Sequence, residues 1–472
     1  MYTVYSYTLR QLLRQRHLQW MLAVLLLLFG LVSWNGARVH LARTQAHAQA
    51  SLAMRQAWLG QGPQNPHSSA HYGHIVFQPV SGMQVLDQGI RPFAGGLLRL
   101  EAHKQNEPLF SPAQQRTEMS RFGDFSMAWV LQVLLPLFII LAGFGLVSTD
   151  REQQTLRLVA AQGLPAGRYL AGKAAAVATL ALAVTLLGVF TQYAFYYAMG
   201  ASNGLPAGWL VSWMGSYALY TVLLSVLSVA VSAAAADSRS SLTLQLAAWA
   251  VWMIVMPRLV ANAADSLHPL EQRQQFNKAL ADDRKKGIDG HNPADEHIAK
   301  FEDSLLKRYQ VKTREELPIN GDGLIMLADE EYSNLVYDKH FARIRQSLDA
   351  QNRVSSWAAF ANPFLALRNM SMGLAQSDYR HQLQLLQDAE AYRRMLMKNL
   401  NEKMAYGGSK TGDWDWTVDS TYWRTIPDFA YQQPRLATTL GWYRLEWLAL
   451  GGWLLLGMGW LGWLARRLYR FA

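Results

Sequence analysis

Six apolar runs constrain the fold of this chain more than any other feature of its sequence. A helix that crosses the hydrocarbon core of a bilayer needs about 20 mostly apolar residues. Six stretches of the 472-residue sequence meet that requirement. We therefore predict a mainly α-helical membrane protein with six transmembrane helices, at residues 19–36, 126–147, 174–199, 208–233, 241–262 and 445–465.

The short connections between these runs predict an orientation, because Lys and Arg in short loops favour the cytoplasmic side. Basic residues occur in segment 1–18, in loop 148–173 and in the tail 466–472, whereas the loop after residue 199 carries no charge. We expect both termini and loop 148–173 to be cytoplasmic, in a multi-pass protein of the inner membrane. The two long insertions, 37–125 and 263–444, would then be periplasmic.

The insertions are predicted to form one large extracytoplasmic domain that is mostly helical with minor β-structure. Residues 379–405 repeat apolar positions three to four apart, as an amphipathic helix does, and "HIVFQPVSGMQVLDQG" suggests short strands. Charges of both signs occur throughout the insertions, so the net charge of +10 does not indicate a nucleic-acid surface. The chain has no Cys, which excludes disulfides and thiolate metal sites.

Segment 1–18 is amphipathic, with Leu9 and Leu12 on one face and Arg10 and Arg14 on the other. This pattern predicts a cytoplasmic interfacial helix whose basic side chains anchor it to the membrane surface. The alternative is a continuous extension of the first transmembrane helix into water.

The stretch "GRYLAGKA", residues 167–174, resembles a phosphate-binding loop. Gly167, Gly172 and Lys173 match that motif, but Ala174 stands where the Mg²⁺-binding hydroxyl is required, and a membrane span follows. We interpret the match as coincidental and expect no cofactor or nucleotide to be bound by this chain. Lys173 is predicted to be a basic anchor at the membrane boundary, with its ammonium group among the headgroups.

Loop 148–173 is also predicted to contain a short helix that docks a partner. Its start can be capped by Thr149 or Asp150, and it ends at residues 163–165. So short a helix needs a supporting surface, because it is marginally stable alone. The predicted contact residues are Arg151, Glu152, Thr155, Leu156, Leu158, Val159 and Arg168. The alternative is a plain connector that carries positive charge.

The first insertion contains three histidines within one short stretch, "HSSAHYGH". His67, His71 and His74 are candidate Cu or Zn ligands, since clustered imidazoles bind these ions, although exposed clusters are often incidental. No pattern of hydroxyls and carboxylates predicts a nucleophile or an acid/base pair. We expect a chain that is not an enzyme.

Residues 121–173 resemble the membrane subunits of ABC-2 type transporters, in which a span is followed by Glu-x-x-x-Gly-Thr-Leu, a coupling helix, a Pro/Arg turn and Gly-Lys. "YWRTIPDFAYQQP" and "ANPFLALRNMSMGLA" are similar to segments of a DUF3526-like subgroup of permeases with large extracytoplasmic insertions. Gln154 departs from the family pattern, which often has Gly there, and we expect it to stiffen the helix start. The remaining family positions are held by Glu152, Thr155, Leu156, Pro165, Arg168, Gly172 and Lys173.

The resemblance implies a permease subunit that works with a cytoplasmic ABC ATPase dimer, which binds ATP and Mg²⁺, and with a second permease, identical or related. It implies that the second and fifth spans line the permease interface. The expected function is export of a substrate across the inner membrane. An alternative is mechanotransmission, in which the spans act on a periplasmic protein and move no cargo. A membrane-anchored receptor or enzyme without an ATPase is a third interpretation.

Overall fold

The computed structural model describes residues 1–107, 109, 125–201, 205–286 and 295–470. These residues are mostly helical and include one two-stranded sheet, so the prediction of a mainly helical chain with minor strands is confirmed. We number the helices as follows: α1 Tyr2–Arg14, α2 Arg16–Leu59, α3 Pro66–Tyr72, α4 Leu135–Gly143, α5 Ser148–Glu152, α6 Thr155–Ala161, α7 Ala166–Ala198, α8 Ala207–Ala234, α9 Ser238–Ala250, α10 Met256–Leu267, α11 Arg273–Arg284, α12 Glu296–Tyr309, α13 Gly321–Ala358, α14 Pro363–Leu374, α15 Tyr379–Tyr406, α16 Ser420–Thr425, α17 Leu436–Trp442 and α18 Arg444–Arg467.

Within the described residues, six helical runs are long and apolar enough to cross a membrane. They are Arg16–Leu59, Met127–Glu152, Ala166–Ala198, Ala207–Ala234, Ser238–Leu267 and Arg444–Arg467. We refer to them as the first to sixth runs. Their side chains form one large apolar core, in which α8 packs against α7 and α18, and α7 also packs against α2.

The first run is longer than the predicted transmembrane helix. α2 continues without a break for 44 residues, which corresponds to about 66 Å at 1.5 Å per residue. Its N-terminal half contributes Leu25 and Phe29 to the core of the six runs, and its last turn places Trp58 in a second core. One helix therefore links these two hydrophobic cores.

The second core is built from both long insertions. Trp58 and Leu100 of the first insertion pack with Leu396, Leu400 and Trp423 of the second. The two indoles meet edge to face, with 5.6 Å between ring centroids, and the Trp58 Nε1 donates to the Trp423 carbonyl at 3.2 Å. Residues more than 300 positions apart thus form a single folded unit.

The sheet of this unit pairs two short strands. β1, His74–Phe77, runs antiparallel to β2, Leu97–Leu100, with His74 opposite Leu100 and Phe77 opposite Leu97. Val76 and Leu100 turn into the second core, as the alternation of side chains along a strand requires.

Two of the six runs contain a π-helical turn before a proline. In the second run Val130–Leu134 precedes Pro136, and in the fifth run Val251–Val255 precedes Pro257. Proline lacks an N–H group and its ring crowds the carbonyl of the preceding turn, so the regular ladder cannot pass through it. A single wider turn absorbs the misfit.

Side chains from elsewhere bond to carbonyl groups of these two turns. The Trp249 Nε1 donates to the Val133 carbonyl at 3.1 Å, and the Asn362 Nδ2 donates to the Trp252 carbonyl at 2.8 Å. In an apolar medium an unsatisfied backbone group costs several kcal/mol. The irregular turns are therefore satisfied by tertiary contacts.

A cavity of about 490 Å³ lies between the second, fourth, fifth and sixth runs. Its wall includes both irregular regions, through Pro136 and through Trp252 and Met253, and it is otherwise mainly aliphatic and indole.

Helix α1 is separate from α2, because Gln15 between them has an extended backbone with φ −74° and ψ 116°. The alternative of a continuous extension of the first span is therefore wrong. α1 packs against the start of α7: Leu12 is fully buried, and a Cβ at Gly172 would lie 3.0 Å from the Val4 side chain. Arg10 and Arg14 are exposed, and their contact with headgroups stays a prediction.

Candidate functional site

Loop 148–173 contains two short helices, α5, which ends the second run, and α6, which follows it. The prediction of one helix in this loop is wrong, because the chain breaks between them at Gln154, which has φ 60° and ψ 7°. This left-handed conformation suits Gly and strains other residues. Gln154 therefore does not stiffen the helix start. It adopts the backbone conformation that the Gly of the resembling family would take at low cost.

Two of the predicted contact residues hold the loop against its own chain. The Arg151 guanidinium donates to the carbonyls of Ala233, at 2.7 Å, and of Ala235, at the end of α8. The Glu152 carboxylate accepts from the backbone N–H of Ser238 at 2.7 Å and from its hydroxyl at 3.1 Å. Ser238 is the first residue of α9, where a carboxylate is favoured by the helix dipole.

The remaining predicted contact residues divide into an inner and an outer set. Leu156 is fully buried, Val159 is half-buried, and the Thr155 hydroxyl donates to the Asp150 carbonyl at 2.9 Å. On the outer side, Leu158 is 64% exposed and Arg168 is exposed. Arg157 and Gln162, which lie in the same predicted docking segment, are exposed as well.

The prediction that Lys173 is a headgroup anchor is wrong. Lys173 is 5% exposed, its Nζ lies 2.7 Å from the Asp150 carboxylate, and it also donates to the Leu146 carbonyl at 2.5 Å. The Tyr169 hydroxyl donates to the same carboxylate of Asp150. A buried ammonium requires a counter-ion, and Asp150 of α5 supplies one within the protein. No sequence pattern indicated an ion pair between residues 23 positions apart.

The segment that resembles a phosphate-binding loop lies inside α7. Gly167 to Lys173 are all helical, so their backbone N–H groups beyond the first turn bond within the helix. A phosphate-binding loop instead points its N–H groups at the anion.

The structure brings together two of the three predicted histidine ligands and replaces the third. His67 and His71 lie one turn apart on α3, and their nearest imidazole partner is His103, which follows β2. His74 begins β1, with its ring between Trp58 and Tyr392. Burial lowers the pKa of His74 to about 4. The prediction of His74 as a ligand beside the other two is therefore wrong.

The sequence pattern did not indicate His103 as a ligand, because it lies more than 30 positions from His67. Its approach depends on the strand pairing and on a turn at residues 101–104 with His103 at φ 65°. The helix α3 also buries His67, although "PHSS" suggested an exposed turn.

Comparison with protein families matches residues 270–432 to a domain of unknown function, DUF3526. The match lies within the second long insertion and includes α13 and α15. It agrees with the DUF3526-like part of the resemblance described above. No curated protein matches the chain.

We expect Gln154→Gly to stabilise the protein. Relief of the left-handed strain, about 1–2 kcal/mol, exceeds the extra backbone entropy of Gly in the unfolded chain, about 0.5–1 kcal/mol. The net gain of about 0.5–1 kcal/mol should appear as a higher thermal transition of the full chain in detergent. Gln153→Gly is the matched control, since Gln153 has φ −82° and should show no gain. Equal effects at both positions would refute the assignment of strain to Gln154.

We expect Lys173→Met to destabilise the protein because it leaves the Asp150 carboxylate without its ammonium partner. Breaking a fully buried pair costs about 3–5 kcal/mol, and the partial exposure of Asp150 reduces our expectation to about 2–3 kcal/mol. The double variant Lys173→Met/Asp150→Asn should recover at least half of that loss. Thermal unfolding of the unaltered chain, of the single variants Lys173→Met and Asp150→Asn, and of the double variant measures the coupling. Strictly additive effects would contradict a direct ion pair.

Proposed function

We propose that this chain is the transmembrane permease subunit of an ABC-2 type transporter that exports a substrate across the inner membrane. ATP would be hydrolysed on Mg²⁺ by a separate cytoplasmic ABC ATPase dimer, and a second permease, the same or a related chain, would complete the pathway. The observation that carries the proposal is the α5–α6 segment, which is tied to three spanning runs and exposes its outer face.

The internal contacts of this segment suit the transmission of force. Asp150 is paired with Lys173 of the third run, Arg151 bonds to the end of the fourth, and Glu152 bonds to the start of the fifth. Each contact involves an ionised group, and hydrogen bonds of this kind are stronger than neutral ones. A displacement of α6 would be passed to α5, to which the Thr155 hydroxyl is bonded, and from α5 to three helices.

The outer face offers a surface for a partner. Leu158 is 64% exposed beside the exposed Arg157, on a helix of seven residues that is too short to be stable without support. Arg is enriched at protein interfaces, and a bound partner would also cover the exposed Leu158 side chain. We assign the ATPase contact to Arg157, Leu158, Gln162 and Arg168, and give Arg151, Glu152 and Leu156 a positioning role.

The proposed topology places both termini and the α5–α6 segment in the cytoplasm and the unit formed by the two insertions in the periplasm. It rests on the charge distribution of the short loops and on the even number of apolar runs. The fifth run would face the second permease or the lipid bilayer, since only 6% of its most apolar 18-residue stretch is buried within the chain. No surface of the chain is assigned to nucleic acid.

One observation favours mechanotransmission to a periplasmic protein as a second candidate function. α2 passes without interruption from the core of the six runs into the core that contains Trp58. A continuous helix of this length is stiff. A tilt of the first run would therefore move the folded unit that the two insertions form, which we call the outer unit. Cargo-stimulated ATP turnover would favour export over this alternative.

Leu158→Glu should weaken binding of the proposed ABC ATPase partner, because a carboxylate would be forced against an apolar contact. We expect at least a tenfold loss of affinity, about 1.4 kcal/mol, with the chain still inserted and folded. Co-purification from membranes and ATPase activity of the reconstituted complex measure the effect.

The matched control for this experiment is Leu335→Glu, since Leu335 is 68% exposed but lies on α13 in the second insertion. It should co-purify with the ATPase as the unaltered chain does. Unchanged ATPase binding by Leu158→Glu, or equal losses in both variants, would contradict the assigned contact surface.

Cysteines introduced at Gln162 and Ser68 should react with an impermeant thiol reagent from opposite sides of the membrane. Both side chains are exposed, and the chain has no native Cys to interfere. In intact spheroplasts Ser68→Cys should be labelled and Gln162→Cys only after permeabilisation. Labelling of both positions in intact spheroplasts would overturn the proposed topology.

A further inference from the structure

Three imidazoles from two separate segments of the first insertion converge near the surface of the outer unit. His67 and His71 lie on one face of α3, and His103 reaches them from the turn after β2. One ligand nitrogen from each ring can be chosen such that all three lie within 4.8 Å of one another. The ring centroids of His67 and His71 are 4.8 Å apart, and that of His103 lies 5.5 Å from His67 and 5.2 Å from His71.

We propose that His67, His71 and His103 form a binding site for a divalent transition ion that prefers imidazole, with Zn²⁺ as the best match. The proposal does not depend on the transport function.

The distances suit such an ion. The Nε2 atoms of His67 and His71 are 3.1 Å apart. Two imidazoles bound to tetrahedral Zn²⁺ at about 2.0–2.1 Å have their nitrogens about 3.4 Å from each other. A small opening of the pair would admit the metal. Three neutral nitrogen ligands with space for one more favour Zn²⁺ or Cu²⁺ over the oxygen-seeking Ca²⁺ and Mg²⁺.

Neighbouring groups orient the rings as metal ligands require. The His67 Nδ1 lies 3.2 Å from the Asn401 side-chain oxygen, and the His103 Nδ1 lies 2.7 Å from the Asp329 carboxylate. Each acceptor makes Nδ1 the protonated nitrogen, so that Nε2 carries the lone pair in the neutral ring. An imidazole held by a carboxylate is the usual outer shell of a protein zinc site, and it strengthens the ligand.

The backbone of His103 is held in an unusual conformation at this point. His103 has φ 65°, which is sterically costly for a residue with a Cβ, and its N–H donates to the Glu330 carboxylate. Strain of this kind persists where surrounding contacts enforce it and is frequent at functional sites. The enforced conformation directs the ring of His103 toward α3.

Asp329 adds an electrostatic reason for a cation. Its side chain is 0% exposed, and its carboxylate lies 2.7 Å from the His103 Nδ1 and 3.6 Å from the Arg284 guanidinium. Because Asp329 belongs to α13 and Asn401 to α15, a metal on the three imidazoles would also join the first insertion to the second. Metal binding should therefore raise the thermal stability of the outer unit.

The test is Zn²⁺ binding to the purified full chain in detergent, carried on an affinity tag without histidine. After dialysis against Zn²⁺ and then buffer, the unaltered chain should retain one Zn²⁺ per molecule by elemental analysis. X-ray absorption of the loaded protein should give about three imidazole nitrogens at 2.0–2.1 Å. Added Zn²⁺ should raise the thermal transition, and a chelator should reverse the shift.

His71→Ala is the diagnostic variant, because His71 is exposed and its removal should leave the fold intact. It should lose the retained Zn²⁺ and the thermal shift, whereas His297→Ala, at an exposed histidine of α12, should keep both. Asp329→Asn should retain the ligands but bind Zn²⁺ about 10–100-fold more weakly. Equal Zn²⁺ retention by the two histidine variants, or none by the unaltered chain, would overturn the proposal.

Discussion

The continuity of α2 is the constraint on which the rest of the architecture depends. Every residue of this helix has its direction fixed by the ones before it, so the position of Trp58 follows from how Leu25 and Phe29 pack among the other runs. Trp58 in turn sets the position of Trp423 and of α15, against which the sheet and α3 are packed. Neither core can be repositioned without a shift in the other or a break in the helix.

A small number of contacts also fixes the position of the loop at the opposite end of the six runs. The ionised side chains of α5 reach the third, fourth and fifth runs, and so they replace the long apolar interface that helices as short as α5 and α6 cannot provide. Leu156 supplies the one fully buried apolar contact of α6. The inner side chains of the loop are therefore bonded or packed within the chain, whereas its outer side chains remain exposed to a partner.

The spans could be predicted because apolar length is a property of contiguous residues. The six runs of the described structure contain the predicted segments to within a few residues, and they extend them by further helical turns. The two long insertions also revealed their helical content through local periodicity. What could not be predicted were the partners of individual polar residues, since these depend on contacts between distant segments.

Lys173 illustrates this limit. Its sequence context, basic and next to an apolar run, is the same for a headgroup anchor and for half of a buried pair, and only the position of Asp150 decides between them. His74 and His103 illustrate it again, because proximity along the chain favoured the wrong imidazole and strand pairing delivered the right one. Gln154 is a third case. The family pattern singled out this position because Gly often stands there, but only the backbone angle of 60° shows that Gln154 adopts a conformation that favours Gly.

The prolines at 136 and 257 have a mechanical consequence. Where a carbonyl is bonded by an indole or an amide from another helix, that bond can be exchanged while the rest of the backbone ladder stays intact. Bending at these two places therefore costs less than bending elsewhere along the same helices. Both irregular turns border the 490 Å³ cavity. Small rotations about them would therefore change the volume of this cavity without unfolding either helix.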